Sequence, residues 1–408
     1  LPPGAVETTG NNVDAYVDRA NPDGFSVGDL RADITALDTF DYTHDLAQAP
    51  NFDDDQVMAS VVQAFYVTNW LHDWYYDSGF DEAAGNAQFD NYGRGGTDGD
   101  GLLIEVHDYS GTNNAYMSTP SDGSSPRMEL LLWSGIGDTY VDLDTAGQYG
   151  ASTADFGPQS FNIAASLADA GTDPTACTGV DGVVTGTVVV IDRGTCSFEA
   201  KVDAAEAAGA IGAIIVNNQV GAPTNMGGGG GLGVTIPSLH VSDLDGAVIR
   251  AEMAAGNPTA TLFRDPQIPL DSALDNTIVA HEWGHYLFGR MIGGCGSVQC
   301  GGLNEGSADW QALHMSLSDG DALDGVYGMG GYASQAGSAD SMYFGIRRFP
   351  YSRDPNYNAV TFRHISDGEA MPATHPVDNN GAPNSEVHNS GSVWSTILFD
   401  AYLALQAD

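Results

Sequence analysis

The sequence predicts an α+β protein interrupted by a small α/β module, and three observations carry that reading. The first third sets a long helical pattern beside short strand-like runs. The middle turns rich in Gly, Ala and Val and alternates strand with helix. Apolar helices return after it, the first with two histidines on one face. At 408 residues the chain exceeds what one core organises, so two or three units are expected. The boundaries fall at residues 1–133, 134–263 and 264–408.

Turn signals dominate residues 1–50, with short strands between them. From Asp54 to Tyr76, Val57, Val61, Val62, Phe65, Tyr66, Trp70, Leu71 and Trp74 recur at helical spacing, and His72 on that helix reads as structural. Strand-like runs follow at 102–107, 113–117 and 127–133. The last is apolar enough to be buried, and the middle one is polar at its start, as an edge strand would be. In the middle region Val183–Asp192, Ala213–Asn218 and Thr235–Val241 read as strands, with alanine-rich helices at Phe198–Ala208 and Asp243–Ala255. The run Gly227–Gly231 lacks the Lys-Ser/Thr ending of a phosphate loop and reads as an exposed loop.

The next helix, Leu274–Ile292, carries His281-Glu282-Trp283-Gly284-His285. Residues four apart share a helix face, so both imidazoles aim at one point, and Glu282 beside them is placed to work on a water. This is the His-Glu-x-x-His pattern of zinc peptidases, and it gains weight only with a third ligand. Glu305, twenty residues after His285 on a helix from about Asn304 to Ser316, supplies one. Asp309, one turn on, is assigned to orient a ligand histidine, most simply His281, through its free ring N–H. The plainer reading is a helix start with acids favoured by the dipole. A last apolar helix runs from beyond His388 to Leu405.

Fifty-four acidic residues against thirteen basic give a net charge of −41, and Lys201 is the single lysine. Such a surface repels nucleic acid and anionic membranes, so neither is expected as a partner. No run is long enough to span a membrane. Self-repulsion of this size is best tolerated in high salt, which suggests a halophilic or marine source; an acidic secreted enzyme is the plainer alternative. The acids Asp53, Asp54, Asp271 and Asp275 are considered for Ca2+, but in so acidic a chain they single out no ligands. The cysteines fall as two local pairs, Cys177 with Cys196 and Cys295 with Cys300, neither at zinc-ribbon spacing. Two disulfides in an exported protein are expected, the second closing the link between His285 and Glu305; free buried thiols are the alternative.

Several separate segments together resemble the fungalysin family of secreted zinc metallopeptidases, relatives of thermolysin. They are Phe65–Asp73 with Gly79–Asn86, Gly111–Ala115, Pro126-Arg127-Met128, His281–His285, Glu305 with Asp309, Gly345–Ser352, and Val387-His388 with Gly391 and Val393-Trp394. The middle region is similar to a protease-associated domain through Val190–Phe198 and Ile236-Pro237. The resemblance implies a two-lobed, thermolysin-like fold with that domain inserted. It also implies one catalytic Zn2+ held by His281, His285 and Glu305, and hydrolysis of internal bonds in extracellular peptide or protein substrates. A monomer and a removed propeptide are expected; the chain starts at Leu1 without a charged-then-apolar leader and stops at Asp408 where the family usually continues. Ser392 stands where the family usually has Glu.

Within that picture Glu282 is the general base and His388 a donor to the oxyanion. Arg347 is expected to hold a substrate carbonyl, with Arg348 competing for the role, and Asn114 with the Ala115 backbone to pair with an extended peptide. Two alternatives stand beside it. One is a zinc aminopeptidase, although no Gly-x-Met-Glu-Asn-like segment is present to grip a free N-terminus. The other is a non-catalytic binding protein that uses the protease-associated domain, against which the intact Glu282 argues.

Overall fold

The computed structural model describes residues 4–406 except 222, 229–230, 257, 266, 319, 323, 336–340, 367–368 and 373–383. Its contacts divide the chain into two units, Leu1–Ile136 with Ile268–Asp408, and Gly137–Gln267.

In the first unit, strand β1 (Val13–Val17) is buried along its whole length. Helix α1 (Asp54–Asp77) starts where the Asp53 side chain accepts the Gln56 N–H at 3.0 Å, satisfying a donor the helix leaves open. Val57, Val61, Ala64, Phe65 and Leu71 of α1 enter the core, whereas Tyr66, Trp70 and Trp74 lie exposed on the other side. The apolar set expected of this helix therefore spreads over more than one face. Strands β2 (Leu102–Val106), β3 (Ala115–Ser118) and β4 (Arg127–Leu130) complete a four-stranded sheet of order β1-β2-β4-β3. The first three neighbours run parallel and β3 pairs antiparallel on the edge. The apolar run 127–133 breaks after Leu130, and β5 (Leu132–Ile136) pairs instead with β13 (Ile268–Asp271).

Besides α1, the described helices of this unit include α4 (Asn276–Ile292), α5 (Val298–Ser316), the single turn α6 (Ser341–Phe344) and α7 (Val387–Gln406). One core joins Ile104, Val106, Met128 and Leu130 of the sheet to Ile278, Val279, Trp283 and Tyr286 of α4 and Phe399 and Leu403 of α7. The second ligand helix begins six residues before the expected Asn304, because the Ser297 hydroxyl caps it by accepting the Cys300 N–H at 3.2 Å. Cys295 and Cys300 are bonded, so this disulfide clamps the first turn of α5 rather than a free loop.

The second unit holds a seven-stranded sheet of order β11-β10-β9-β8-β12-β6-β7. Its strands are β6 (Thr139–Leu143), β7 (Gly147–Gly150), β8 (Phe161–Asp169), β9 (Val188–Asp192), β10 (Gly212–Val216), β11 (Ser238–Val241) and β12 (Thr259–Arg264). Strands β8 to β11 are parallel, with helix α2 (Phe198–Ala207) between β9 and β10 in sequence and helix α3 (Asp243–Ala255) between β11 and β12. Alternate residues of β9 and β10 enter different clusters, Val189, Ile191, Ala213 and Ile215 with Val202 of α2, and Val188, Val190 and Ile214 with Ile249 of α3. Burial on both faces explains the continuous apolar runs. The antiparallel half, β6, β7 and β12, was not expected from the sequence. Cys177 and Cys196 are bonded, and the Lys201 ammonium donates to the Thr175 carbonyl at 2.6 Å.

Candidate active site

Asp275 starts α4 by accepting the Thr277 N–H at 3.1 Å. The helix is buried through Ile278–Gly284, so His281 and Glu282 reach the cleft from a packed wall. Close approach of α4 to α5 depends on Gly284, where a Cβ would stand 2.6 Å from the Ala308 Cα. On the other side of α5, Gly391 of α7 would put a Cβ 2.6 Å from the Glu305 Cβ. Small residues at both crossings bring Glu305, Asp309 and His388 beside the histidines of α4.

One donor atom from each of His281, His285 and Glu305 lies within 4.8 Å of the others. His281 Nε2 is 3.6 Å from Glu305 Oε2 and His285 Nε2 is 3.7 Å from Glu305 Oε1, too far for hydrogen bonds. Glu305 Oε2 is buried without a hydrogen-bond partner. Two imidazole nitrogens and an orphaned carboxylate oxygen around a common gap fit a zinc ion.

The opposite ring nitrogens are held. His281 Nδ1 lies 2.8 Å from Asp309 Oδ1, and His285 Nδ1 lies 3.0 Å from Asn304 Oδ1. Such partners fix the tautomer that leaves Nε2 free for a metal. Asp309 also takes two hydrogen bonds from Arg347, Nε to Oδ2 and Nη2 to Oδ1, each 2.7 Å, and one from the Tyr351 hydroxyl. Arg347, expected to hold a substrate carbonyl, lines the cleft, where its fork is bound to Asp309 and its Nη2 lies 3.7 Å from Glu305 Oε2. The sequence shows the arginine but not the carboxylate it will meet. His388 Nε2 lies 3.4 Å from Glu305 Oε2, and its Nδ1 is 2.6 Å from Glu386 Oε1.

Burial and close partners compete in setting the electrostatics. Burial pushes the Glu282 carboxyl up to about 7, with the His281 imidazole pulling the other way. Burial, then the neighbouring His281, brings His285 down to about 4 and keeps it neutral. Burial alone would raise Asp309, but the Arg347 guanidinium outweighs it and holds that carboxyl well below its usual range. Burial would likewise raise Glu386, yet the hydrogen bond to His388 takes it down to about 2.

A cleft of about 460 Å³ is lined by His281, Glu282, His285, Glu305, Arg347 and His388, and also by Asn114, Ala115, Tyr116 and Phe288. Asn114 precedes the edge strand β3, and its Oδ1 accepts the Ala115 N–H at 3.0 Å. Arg348 is buried as well. Asn304, Tyr351 and Glu386 escaped the sequence reading. Asn304 adjoins Glu305 and Glu386 lies two residues before His388, and adjacency was the signal available.

The acids considered for calcium do not form a metal group among the described residues. Asp53 and Asp275 cap helices, Asp54 pairs with Arg19 at 2.6 Å, and Asp271 lies 2.8 Å from His107 Nε2. No helix among the described residues is long and apolar enough to cross a membrane.

Comparison with known proteins adds three findings. The family model described as fungalysin metallopeptidase (M36) matches residues 4–407. Extracellular metalloproteinase mep of Aspergillus flavus is 40% identical over 128 residues, covering 31% of this chain and 19% of that protein. Extracellular metalloproteinase 2 of Trichophyton tonsurans is 25% identical over 399 residues, covering 96% of this chain and 38% of that protein. The chain thus spans about two fifths or less of the length of these relatives. Among solved structures, an aminopeptidase from Aneurinibacillus sp. strain AM-1 is 22% identical, covers 38% of this chain and 33% of its own, and has a TM-score of 0.26.

Proposed function

The chain belongs to the fungalysin family of metallopeptidases, and from that premise we propose that it is a secreted zinc endopeptidase of the two-His, one-Glu type. His281, His285 and Glu305 hold the ion, and residues 137–267 form an inserted protease-associated domain. The reading rests on one observation: three donor atoms within 4.8 Å of one another beside the buried Glu282.

Zinc, when bound, supplies Lewis acidity that polarises a peptide carbonyl and makes water easier to deprotonate. Glu282 takes the water proton and passes it to the departing amine. Burial, which raises the Glu282 carboxyl, helps it hold that proton between the two transfers. His388, held by Glu386, donates to the oxygen on which charge develops. Asp309 keeps His281 in its metal-binding tautomer, and Arg347 and Tyr351 keep Asp309 in place. The substrate lies extended along β3, whose outer edge is unpaired among the described strands.

An internally quenched peptide, blocked at its N-terminus, tests the reading. Cleavage is expected, lost with a zinc chelator and restored by zinc. Glu282→Gln is expected to keep full zinc content and lose turnover by about 10²–10⁴-fold. Cleavage of peptides with free N-termini alone would support the aminopeptidase reading. Undiminished cleavage by Glu282→Gln would overturn the base assignment.

A further inference from the structure

A second group of acids lies on the sheet face turned away from the core of the first unit. Asp18 follows the end of β1, and Glu105 and Asp108 lie in and just after β2. The two strands run parallel with Val17 opposite Val106, which brings their carboxyl ends together. Oxygens of Asp18, Glu105 and Asp108 lie within 4.8 Å of one another, and all three residues are buried, at 0%, 0% and 3% exposure. The segment between Asp18 and Asp29 folds over them: Asp29 accepts the Arg19 N–H at 2.9 Å and the Ser26 N–H at 2.7 Å.

The hydrogen bonds of this group are incomplete. Glu105 Oε1 accepts the Tyr16 hydroxyl at 2.9 Å and lies 3.3 Å from Arg127 Nε, while Glu105 Oε2 has no partner. Asp108 Oδ1 accepts the Ser110 N–H at 2.8 Å, while Asp108 Oδ2 has none. Asp18 accepts only long bonds, 3.3 Å each, from the Ala20 and Gly24 N–H groups. Two wholly buried carboxylate oxygens without a donor are costly to leave so. Neighbouring charge makes matters worse. Arg127 is shared between Glu105 and Asp23, and the half-buried Glu129 stands opposite Glu105 in the sheet. Burial raises Asp18 to about 6 and Glu105 to about 7, as expected of acids crowded with too little countercharge.

We propose that Asp18, Glu105 and Asp108 form a calcium-binding site, separate from the catalytic cleft, in which Glu105 Oε2 and Asp108 Oδ2 are ligands. The donors are all hard oxygens, which excludes the metals that prefer nitrogen or sulfur. Three carboxylates from irregular positions suit Ca2+, which takes six to eight oxygens in flexible geometry. Mg2+ demands an octahedron and keeps its waters. The ion would neutralise the buried acids and pin the segment after β1 to the end of β2, stabilising the sheet that carries β3.

The test uses the zinc-loaded protein, freed of calcium on a chelating resin, in molar KCl so that surface charge is screened. Titration with CaCl2 is expected to show one bound ion per chain. Thermal unfolding is expected to rise by about 4 °C at a hundredfold excess over Kd, with little rise from MgCl2. Glu105→Gln and Asp108→Asn should abolish both effects. Because each removes a repelling charge, each should unfold at or above the wild-type temperature when calcium is absent. Asp53→Asn should change nothing. Absence of stoichiometric binding to the wild type would overturn the site. So would variants that keep the calcium-dependent rise, or that lose as much stability without calcium as with it.

Discussion

Replacing Asp309 by Asn separates what this carboxylate does for the metal from what it does for the fold. Asp309 is 1% exposed, takes two 2.7 Å hydrogen bonds from Arg347 and faces His281 at 2.8 Å. Arg347 is itself 6% exposed, so Asp309→Asn strands a buried guanidinium without its counter-charge. Breaking one partner of a buried pair costs about 3–5 kcal/mol, whereas exchanging both for neutral groups costs far less. Arg347→Met should therefore destabilise, and the double substitution Asp309→Asn with Arg347→Met should recover about 2–3 kcal/mol of the summed losses. All six tryptophans lie outside residues 137–267, so fluorescence during guanidinium unfolding reports the first unit alone. Unfolding in excess chelator removes metal linkage from the comparison. Zinc affinity is measured separately. Asp309→Asn should weaken it about 10–100-fold, or roughly 1.4–2.7 kcal/mol, because His281 loses the partner that fixes its ring. Arg347→Met should weaken it less, since the hydrogen bonds of Arg347 reach His281 through Asp309 and its Nη2 comes no nearer than 3.7 Å to Glu305 Oε2. Strictly additive stability losses, or unchanged zinc affinity in Asp309→Asn, would refute this account of the site.

Three further outcomes follow from the same geometry. His388→Ala should lower kcat about 10²–10³-fold with little change in KM, and Glu386→Gln should produce a smaller loss in the same direction; steady-state kinetics on the quenched peptide separates the two constants. Gly391→Ala places a methyl 2.6 Å from the Glu305 Cβ and 2.9 Å from the Gly306 nitrogen, so α7 must shift. Guanidinium unfolding should show a loss of about 1–3 kcal/mol, accompanied by reduced zinc affinity. His240 is wholly buried with Nδ1 2.7 Å from the Thr224 carbonyl, and burial lowers its pKa. Its contribution is complete above the unfolded value of about 6.5 and is lost as pH falls towards the lower folded value, at up to about 1.4 kcal/mol per pH unit. Amide exchange of β11, corrected for intrinsic rates, should show that slope, and His240→Asn should flatten it.

How far the site could be read from the chain depended on how its residues are joined. His281, Glu282 and His285 share one helical turn, and Glu305 and Asp309 share another, so a period of 3.6 was enough to align them. Arg347 could be found and was assigned to substrate, but its bond to Asp309 was not legible, because its direction is fixed by a carboxylate on α5 far from it in sequence. Strands β6, β7, β8 and β12, joined by the antiparallel pairings of the second unit, were missed for a related reason. Phe161–Asp169, with three alanines in nine residues, becomes a strand through its neighbours in the sheet more than by its own preference. The acidic group beside β1 and β2 is the extreme case. Asp18, Glu105 and Asp108 are unremarkable among 54 acids, and only the parallel register of two strands far apart in sequence makes them neighbours. In a chain this acidic, acid content says almost nothing about where a cation would bind. What distinguishes this group is burial of all three acids with an unpaired oxygen on Glu105 and on Asp108, since an exposed acid is content with water and a buried one is not. The same logic singles out Glu305, whose orphaned oxygen marks the proposed zinc site without any appeal to the His-Glu-x-x-His motif.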